Sequence, residues 1–527
     1  MKKSHVLVLI LAAAGIRLAP ALWTGMPYST DAWPLISNVE VLLEHSPVSL
    51  SSDLFGGYNN FWPGSQIFGT MLSELTSLSP RTSLAIGVPL SSSFAVVIFY
   101  AIAEKLTENT KIAFLSALLM AVAFPLVHFR ASVTKETFSV ALFMFLLLLY
   151  LKGGKKSLLL SVPVSVALVA SHHFTSLIAL TVLGVASALF VLKGFLGSGD
   201  VRAARFAVPA VLGSSFTVYY LSFAHEAAFF LPSLPHWVSA GGYLLVGLAA
   251  ALYLSSGKRR SVTALIALLI GVYGVAVAAT QVHLAQGAPV LTPDLLFYSS
   301  FLLLAPPAGV AGYWKLQENG NSVFSLAWIV SISAIILYAL FGGSQGAFPV
   351  GGYVMAYRGL YFFVPPLCLF LGAGLMKIYR SERSLSKPLA VGLLGAFVVA
   401  GLSAYYVSLT ESGRMLGYQA LNTKGEFEAS EWVSDRNLEG IAGDQKALYL
   451  LTLYRGENVN LRKGYEYLWG RTEKQPKVLY IHDQMYRHGY LLGLYGRKLP
   501  EKWGERTREM NLTYYNDYVK VFKRSSE

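Results

Sequence analysis

One carboxylate near the start of the chain has the surroundings of a reactive group. Asp31 lies in the segment Tyr-Ser-Thr-Asp-Ala-Trp (28–33), directly after the first long apolar run. A carboxylate there could take a proton from an acceptor hydroxyl or amide, or orient the acceptor by hydrogen bonding. The structural alternative is that Asp31 caps a helix beginning near Ala32. We expect the catalytic role, and the alternative stays open at this point.

Charged residues and histidines follow at the ends of later apolar runs. The sequence His-Phe-Arg-Ala-Ser-Val-Thr-Lys-Glu contains Arg130 and Glu136, and Ser-His-His contains His172 and His173. Ionisable groups at membrane depth are costly, so they tend to face one another or line a cavity. We expect a functional role for Arg130 and Glu136. We also expect His172 or His173 to contact substrate. In the alternative, Arg130 and Lys135 bind lipid headgroups and Glu136 pairs with one of them.

Two adjacent histidines also raise the question of a metal. Neighbouring side chains on a helix point about 100° apart, so a third ligand would have to come from elsewhere. Asp31 or Glu136 could supply it. A divalent metal is therefore a possible cofactor, and no cofactor is certain.

A glycine-rich segment later in the chain leads to an arginine. Residues 342–366 read GGSQGAFPVGGYVMAYRGLYFFVPP and bring Tyr357 and Arg358 to the start of an apolar run. The planar guanidinium fork suits phosphate because it donates two parallel charge-assisted hydrogen bonds. We expect Arg358, with Tyr357 and Arg130 beside it, to bind the phosphate of a lipid-linked donor. The alternative is an arginine that simply snorkels to the membrane interface.

The first polar segment, 23–82, is longer than a connector needs to be. Joining two helices takes only a few residues, so a loop of this length suggests a built site. It contains Asp53 and Tyr58, followed by Asn59 and Asn60. We expect these hydrogen-bonding groups to contribute to substrate binding.

Composition assigns all of these residues to a membrane protein. The 527 residues are 54% hydrophobic and only 13% charged, and the mean hydropathy is +0.50. A water-soluble surface cannot be built from so few polar groups. Runs of about 20 apolar residues, the length that crosses a bilayer, predict about thirteen transmembrane helices. Their centres lie near Leu11, Val96, Leu119, Phe145, Val166, Leu183, Pro209, Gly247, Leu269, Leu303, Val330, Phe370 and Phe397. The single cysteine, Cys368, excludes a disulfide framework.

The distribution of positive charge predicts the orientation. Lys and Arg resist translocation, so cytoplasmic loops are basic. The predicted cytoplasmic segments contain Lys105, Lys111, Lys152, Lys155, Lys156, Lys193, Arg202, Arg205, Lys258, Arg259, Arg260, Lys315, Lys377, Arg380, Arg383 and Lys387. The outer segments before Tyr406 contain only Arg81, Arg130, Lys135 and Arg358, with Arg17 near the outer end of the first span. We expect a cytoplasmic N-terminus, an extracytoplasmic C-terminus and the cell membrane as location. The net charge of +13 is thus a topology signal and does not indicate a nucleic-acid partner.

The two ends of the chain differ from the middle. The N-terminal sequence resembles a signal peptide, but no clear cleavage site follows, so we expect a retained first span. Residues 1–407 form the predicted transmembrane domain. Residues 408–527 are richer in charge and predict a small extracytoplasmic α/β domain, with a helix at 426–435 and strands at 477–483 and 517–523.

Together these features resemble the GT-C superfamily of membrane glycosyltransferases. The shared pattern is an inside N-terminus, a large first outer loop with an acidic residue after the first span, many further spans and a soluble C-terminal domain. Asp31 matches the first-loop acid, and Glu136 matches an acid in the second outer loop. The first loop has no Asp-x-Asp pair, and no Trp-Trp-Asp triplet begins the tail. These departures favour a relative that transfers a monosaccharide.

The resemblance implies a transferase that moves a sugar from a polyprenyl-phosphate-linked donor to an acceptor on the outer face. Asp31 and Glu136 would then be catalytic. The partners would be the lipid-linked sugar, membrane lipids and a lipid, glycan or protein acceptor. Two alternatives are a transporter or flippase of lipid-linked glycans and a non-catalytic membrane scaffold. A transporter predicts buried polar residues in mid-span and paired broken helices. We find few of the former and no twofold repeat.

Overall fold

The structure is a computed structural model that describes residues 2–45, 55, 57–195, 206–225, 238, 241–249, 274, 277–278, 281–282, 293–318, 322–342, 352–411, 420–492 and 495–525. Seven helices in these ranges are long and apolar enough to cross a membrane: Lys3–Thr24, Pro80–Thr107, Gly154–Ser171, His173–Gly194, Ser322–Leu340, Val354–Tyr379 and Ser386–Thr410. The predicted fold class, a polytopic helical membrane protein with a small C-terminal α/β region, is confirmed. The count of thirteen spans stays a prediction, and its centre near Leu269 lies outside the described residues.

The first segments are α1 (Lys3–Thr24), α2 (Ala32–Glu44), α3 (Gly64–Thr76) and α4 (Pro80–Thr107). The described part of the loop predicted at 23–82 therefore contains the two α-helices α2 and α3 and the short 3-10 helix Gly57–Phe61. Helix α4 begins at a proline, and the Ser79 hydroxyl accepts a hydrogen bond from the backbone N–H of Thr82, as expected for an N-cap. Helices α3 and α4 lie so close that a Cβ on Gly69 would be 2.7 Å from the Leu84 side chain. The described part of the loop is thus a packed layer against the spans.

The next segments are α5 (Thr110–Val122), α6 (Leu126–Arg130) and α7 (Lys135–Lys152). Hydroxyl groups take up the carbonyls that the short helix α6 leaves without helical partners. Thr137 Oγ1 donates to the Phe129 carbonyl at 3.0 Å, and Ser92 Oγ donates to the Arg130 carbonyl at 2.8 Å. The Thr134 hydroxyl caps α7 by accepting from the Thr137 N–H at 3.0 Å. These bonds fix where α7 begins, and with it the direction of its first side chains.

Seven further helices of the described membrane region are α8 (Gly154–Ser171), α9 (His173–Phe195), α10 (Ala207–Ser222), α11 (Pro293–Glu318), α12 (Ser322–Leu337), α13 (Gly352–Tyr379) and α14 (Ser386–Thr410), and residues 241–249 are also helical. Helix α13 contacts α5, α11, α12 and α14. Small residues permit these contacts, as is usual between membrane helices. A Cβ on Gly372 would lie 3.0 Å from the Ser116 backbone nitrogen, and Gly312 and Gly374 face the backbone of α13 and α11 with no room for a side chain.

The C-terminal region is a small α/β fold. Helix α15 (Lys424–Asp435) precedes a five-stranded sheet in the order β2-β1-β3-β7-β6, in which β1 is parallel to β2 and β3, and β7 is antiparallel to β3 and β6. The strands are β1 (Ile441–Ala442), β2 (Val459–Asn460), β3 (Val478–His482), β6 (Met510–Tyr515) and β7 (Val519–Arg524); a separate hairpin pairs β4 (Tyr490–Leu492) with β5 (Tyr495–Arg497). Short helices are α16 (Leu461–Leu468), α17 (Asp483–His488) and α18 (Trp503–Arg508), and residues 445–452 are also helical. The helix and strands predicted here are all present.

The C-terminal region docks on α2 through aromatic side chains. Trp33 stacks on Phe427 with ring centroids 5.6 Å apart, and lies 5.4 Å from the Tyr454 ring. The Tyr454 hydroxyl donates to Glu40 at 3.1 Å. Helix α14 continues to Thr410, and α15 begins at Lys424. The domain boundary at 407/408 stays a prediction.

Candidate active site

Asp31 lies between the end of α1 and the start of α2. It occupies the N-cap position of α2, yet its carboxylate makes no capping hydrogen bond. The capping alternative is therefore wrong. Asp31 donates its backbone N–H to Ser29 Oγ at 3.3 Å, and Ser29 has φ +91°, in the left-handed region that L side chains rarely adopt. Such backbone strain is held only where surrounding contacts enforce it, often at functional sites.

Two cations from other elements act on the Asp31 carboxylate. Burial raises its pKa above the ordinary range of an aspartate, and the positive charges of Arg358 and Lys135 oppose that rise. Lys135 begins α7, and Arg358 lies in the first half of α13. The site thus joins the segment before α2 to two helices distant in sequence.

Glu136 lies between two arginines. Its carboxylate is 3.4 Å from Arg130 Nη1 and 3.9 Å from Arg358 Nε. The side chains of Arg130 and Glu136 are only 2% exposed, whereas that of Arg358 is 35% exposed. The pairing of Glu136 with a neighbouring cation is confirmed. The headgroup alternative is wrong for Arg130 and Lys135, because both are buried inside the protein.

Aromatic rings enclose the buried arginine. The Arg130 guanidinium carbon lies 5.4 Å from the Phe129 ring, 5.9 Å from Tyr361 and 5.1 Å from Phe362, within the range of cation–π attraction. Tyr357, one helical turn before Tyr361, packs against it with ring centroids 4.9 Å apart. Tyr357 is half-buried and Tyr361 fully buried. Arg130 therefore belongs to the wall of the site, and Arg358 to its accessible side.

The two histidines reach the same region from the α8–α9 junction. His172 is buried, and its Nδ1 lies 2.7 Å from the Thr175 hydroxyl. The ring of His173 is 4.5 Å from that of Trp62, which comes from the first loop. The charges of Arg358 and Lys135 act on both histidines. Both histidines therefore lie within electrostatic reach of the site cations, and their contact with substrate stays a prediction.

The other two predicted substrate contacts are Asp53 and Tyr58, in the first loop. Asp53 lies outside the described residues. Tyr58 belongs to the short 3-10 helix Gly57–Phe61, whose backbone is described without that side chain. In the same loop, Asn60 Oδ1 accepts from the Phe55 N–H at 2.9 Å. Substrate binding by Asp53 and Tyr58 stays a prediction.

The charged groups do not fit a divalent cation. Within the described ranges, no three His, Cys, Asp or Glu side chains come together as a metal site would require. Of the two carboxylates, Glu136 is held by two arginines, and Asp31 faces the charges of Lys135 and Arg358. The three neighbouring cations, Arg130, Arg358 and Lys135, would repel a metal ion. The same arrangement attracts a phosphate.

Two site residues were not anticipated. Lys135 is next to Glu136 in the sequence, but its place in the site follows from the burial of its side chain, which only the structure shows. Tyr449 belongs to the C-terminal region, and the Asp31 carboxylate, followed by burial, raises the pKa of its phenol. Nothing in the apolar segment LYLLTLY marked that tyrosine as a neighbour of Asp31.

The chain resembles known proteins in structure, without a match in sequence. No protein-family model and no curated protein matches the sequence. The apo oligosaccharyltransferase of Archaeoglobus fulgidus is similar over 92% of this chain and 70% of its own, at a TM-score of 0.57 and 15% identity. The oligosaccharyltransferase AglB from that organism, in complex with an inhibitory peptide and a dolichol-phosphate, matches over 92% and 69% at a TM-score of 0.56 and 14% identity.

The chain has the GT-C fold. ArnT from Cupriavidus metallidurans, bound to undecaprenyl phosphate, aligns over 100% of this chain and 99% of its own at 12% identity; its TM-score of 0.38 is too low to carry an argument. In this GT-C chain, Asp31 precedes the first helix after α1, and the Arg130–Glu136 pair joins α6 to α7. The expected fold is thus confirmed, whereas the roles of the two acids stay predictions.

Proposed function

We propose that this GT-C protein is a glycosyltransferase that takes a sugar from a polyprenyl-phosphate-linked donor. The observation that carries the proposal is the grouping of Asp31 with Lys135 and Arg358, beside the Arg130–Glu136 pair. It combines a group that can accept a proton with cations that can hold a phosphate. Both are needed when a sugar leaves a phosphate and joins a nucleophile.

Asp31 is the proposed base. In the reaction, the acceptor oxygen or nitrogen forms a bond to the anomeric carbon while the bond from that carbon to the phosphate oxygen breaks. The acceptor proton passes to the Asp31 carboxylate, and the bonding pair leaves with the phosphate. Burial favours this step, because it raises the pKa of Asp31 and so strengthens it as a base.

Arg358 is the proposed ligand of the donor phosphate. Its side chain is 35% exposed and so accessible to a ligand, while Glu136 at 3.9 Å orients the guanidinium. Arg130 is buried against Glu136 and positions that carboxylate in turn. Tyr357 is next to Arg358 on α13 and contributes to the donor side. The dolichol-phosphate bound to the AglB structure supports a polyprenyl phosphate as the class of ligand.

The acceptor side comprises the first loop and the two histidines. His172 and His173, with Asp53 and Tyr58, are the proposed substrate contacts beyond the reacting groups. The inhibitory peptide in the AglB structure supports a protein acceptor, whose side-chain oxygen or nitrogen would be the nucleophile; in a lipid or glycan acceptor a hydroxyl would take that role. The proposed site faces the outer side of the cell membrane, as the distribution of Lys and Arg indicates. A donor anchored in that membrane needs no nucleotide-sugar site.

Transfer can be tested with purified protein in nanodiscs and donors that carry a radiolabelled sugar on a polyprenyl phosphate. We expect label to move to an acceptor fraction with the wild type and to fall by at least about a hundredfold with Asp31→Asn, since a positioned base contributes 10²–10⁴-fold. Asp517→Asn, at an exposed position of the C-terminal region, is the matched control.

Four outcomes discriminate the functions. Loss of transfer in Asp31→Asn with unchanged melting supports a catalytic carboxylate. Near-normal turnover in that variant removes Asp31 from the reaction. In proteoliposomes, label that crosses the bilayer while still attached to its lipid indicates a flippase, and a protein that neither transfers nor moves any donor of the panel favours the scaffold alternative.

A further inference from the structure

The backbone just before Asp31, residues 27–29, is strained at Ser29. Ser29 has φ +91°, a conformation that is unfavourable for a residue with a side chain. The carbonyl of Tyr28, its neighbour, accepts from the Val133 N–H at 2.8 Å, two residues before Lys135. This segment therefore connects Asp31 with the turn that carries the cations of α7.

The C-terminal region also forms hydrogen bonds with this segment. The Ser29 N–H donates to the Ala420 carbonyl at 2.8 Å. Asn422 Nδ2 donates to the carbonyls of Pro27 at 2.7 Å and Ser29 at 3.0 Å. Since both partners are carbonyl oxygens, the amide nitrogen of Asn422 must face them. Asn422 is only 1% exposed, so bulk water does not compete for these hydrogen bonds.

Asn422 is itself held by a buried network. The carbonyl of Leu421 accepts from Lys446 Nζ at 2.6 Å and from Gln484 Nε2 at 2.8 Å. Lys446 also pairs with Glu426 at 2.6 Å, and Glu426 closes a capping box with Thr423. The residues on both sides of Asn422 are therefore fixed to α15 and to the helical segments beside the sheet.

We infer that Asn422 is a positioning residue for Asp31, so that the C-terminal region forms part of the active site. Its two hydrogen bonds hold the carbonyls of Pro27 and of the strained Ser29. The conformation of these residues sets the direction of the Asp31 carboxylate. The inference rests on the proposed function, because positioning matters only if Asp31 takes part in the reaction. Trp33 and Tyr449 bring the same region against α2 and Asp31, which is consistent with a shared site.

The test compares Asn422→Leu with Tyr454→Phe. Leu keeps the branched shape of Asn, with bulkier methyl groups, and removes both hydrogen bonds that Asn422 donates; the Ser29 carbonyl still accepts from the Ala32 N–H at 3.2 Å. Tyr454→Phe removes a hydrogen bond between the C-terminal region and α2, at Glu40, without touching 27–29. For Asn422→Leu we expect kcat to fall 10- to 100-fold, since misplacing a reacting group by about 1 Å can cost a hundredfold. The KM for donor should change less than about threefold, because Arg358 lies on α13. Tyr454→Phe should retain both constants within about twofold.

Hydrogen exchange of the full chain in nanodiscs gives a readout independent of activity. We expect amides 28–33 to exchange at least about tenfold faster in Asn422→Leu and at the wild-type rate in Tyr454→Phe. Unchanged exchange in Asn422→Leu overturns the inference, whatever the enzyme does. Faster exchange with unchanged kcat also overturns it, and leaves the proposed function intact if Asp31→Asn is inactive. If the wild type transfers no sugar from any donor, the proposed function fails, and the inference fails with it even when exchange is faster.

Discussion

At the scale of single residues, Arg358 offers the sharpest test of donor binding. If its guanidinium holds the phosphate, Arg358→Lys should weaken donor binding by one to two decades, because a point charge cannot replace the planar fork. Charge-assisted bonds of this kind are worth about 1.5–3 kcal/mol. Arg358→Gln should be weaker still, since it removes the charge. Donor-concentration dependence of transfer in nanodiscs measures both.

The control for this pair is Arg487→Lys and Arg487→Gln, at an exposed arginine that pairs with Asp483 in the C-terminal region. Neither should change donor affinity. An arginine that only snorkels would let Lys substitute freely, with donor affinity and turnover within about twofold of the wild type. That result would remove Arg358 from the site.

Which residues meet at the site was predictable in part from the sequence. Asp31, Glu136 and Arg358 were singled out because each is a charged group at the end of an apolar run, and such groups need a reason to be there. That Glu136 would lie between Arg130 and Arg358 depends on how α7 and α13 pack, which no local pattern encodes. The roles of these residues remain predictions.

At the scale of elements, the junction of α3 with α8 depends on a glycine. A Cβ on Gly64 would lie 2.9 Å from Ser171 Cα, beside His172 and the Trp62–His173 contact. Gly64→Ala should therefore push the first loop away from α8 and lower the stability by about 1–3 kcal/mol, the usual cost of overpacking. Thermal melting in detergent measures it. Gly15→Ala, in α1 with no atom within 4 Å of the added methyl, should leave the melting temperature unchanged or slightly higher. Equal melting of the two variants would contradict the close contact.

The buried carboxylate of Asp444, in the sheet region, should make the stability of the protein depend on pH. Burial alone would raise the pKa of Asp444, but the His482 ring and the backbone N–H groups of Ala447 and Leu491 outweigh it, so the pKa is lowered. Both Asp444 oxygens lie 3.0 Å from His482 Nε2. A lowered pKa in the folded state contributes stability that is present above about pH 4, the unfolded value, and is lost as the pH falls through the folded value.

Asp444→Asn should therefore be less stable than the wild type at neutral pH by about 1–3 kcal/mol. Below about pH 4 the difference should shrink, because the wild-type carboxylate is then being protonated. Melting of the full chain at a series of pH values checks this, with Asp517→Asn as the exposed control. A difference that stays constant from pH 7 to pH 3 would show that the charge of Asp444 contributes nothing.

At the scale of the whole molecule, composition and periodicity predicted the architecture well. Long apolar runs gave helices in the described membrane region, and the change in charge after the last span marked the α/β fold. The sequence did not reveal that this fold would reach back to Asp31. The contacts of Ala420 and Asn422 with Pro27 and Ser29 join positions almost 400 residues apart, as the separations of 395 and 393 show. Such long-range hydrogen bonds depend on the complete packing and have no local signature.

The orientation in the membrane is the last prediction, and it decides which substrates can reach the site. The distribution of Lys and Arg predicts an outer C-terminal region. Asp517→Cys is a suitable probe, because Asp517 is exposed, whereas the side chain of nearby Asn516 bonds to the backbone of Gly425 and Val519. The native Cys368 is buried and should give little background.

An impermeant maleimide applied to intact cells should label Asp517→Cys at once. Lys155→Cys, exposed at the start of α8 in a predicted cytoplasmic segment, should react only after lysis. Because Asn422 ties the C-terminal region to the segment before Asp31, that region and the site must lie on the same side. The opposite labelling pattern would therefore place Asp31 and Arg358 on the cytoplasmic side. There a nucleotide-activated sugar could reach them directly, and the reaction would not need a lipid-linked donor.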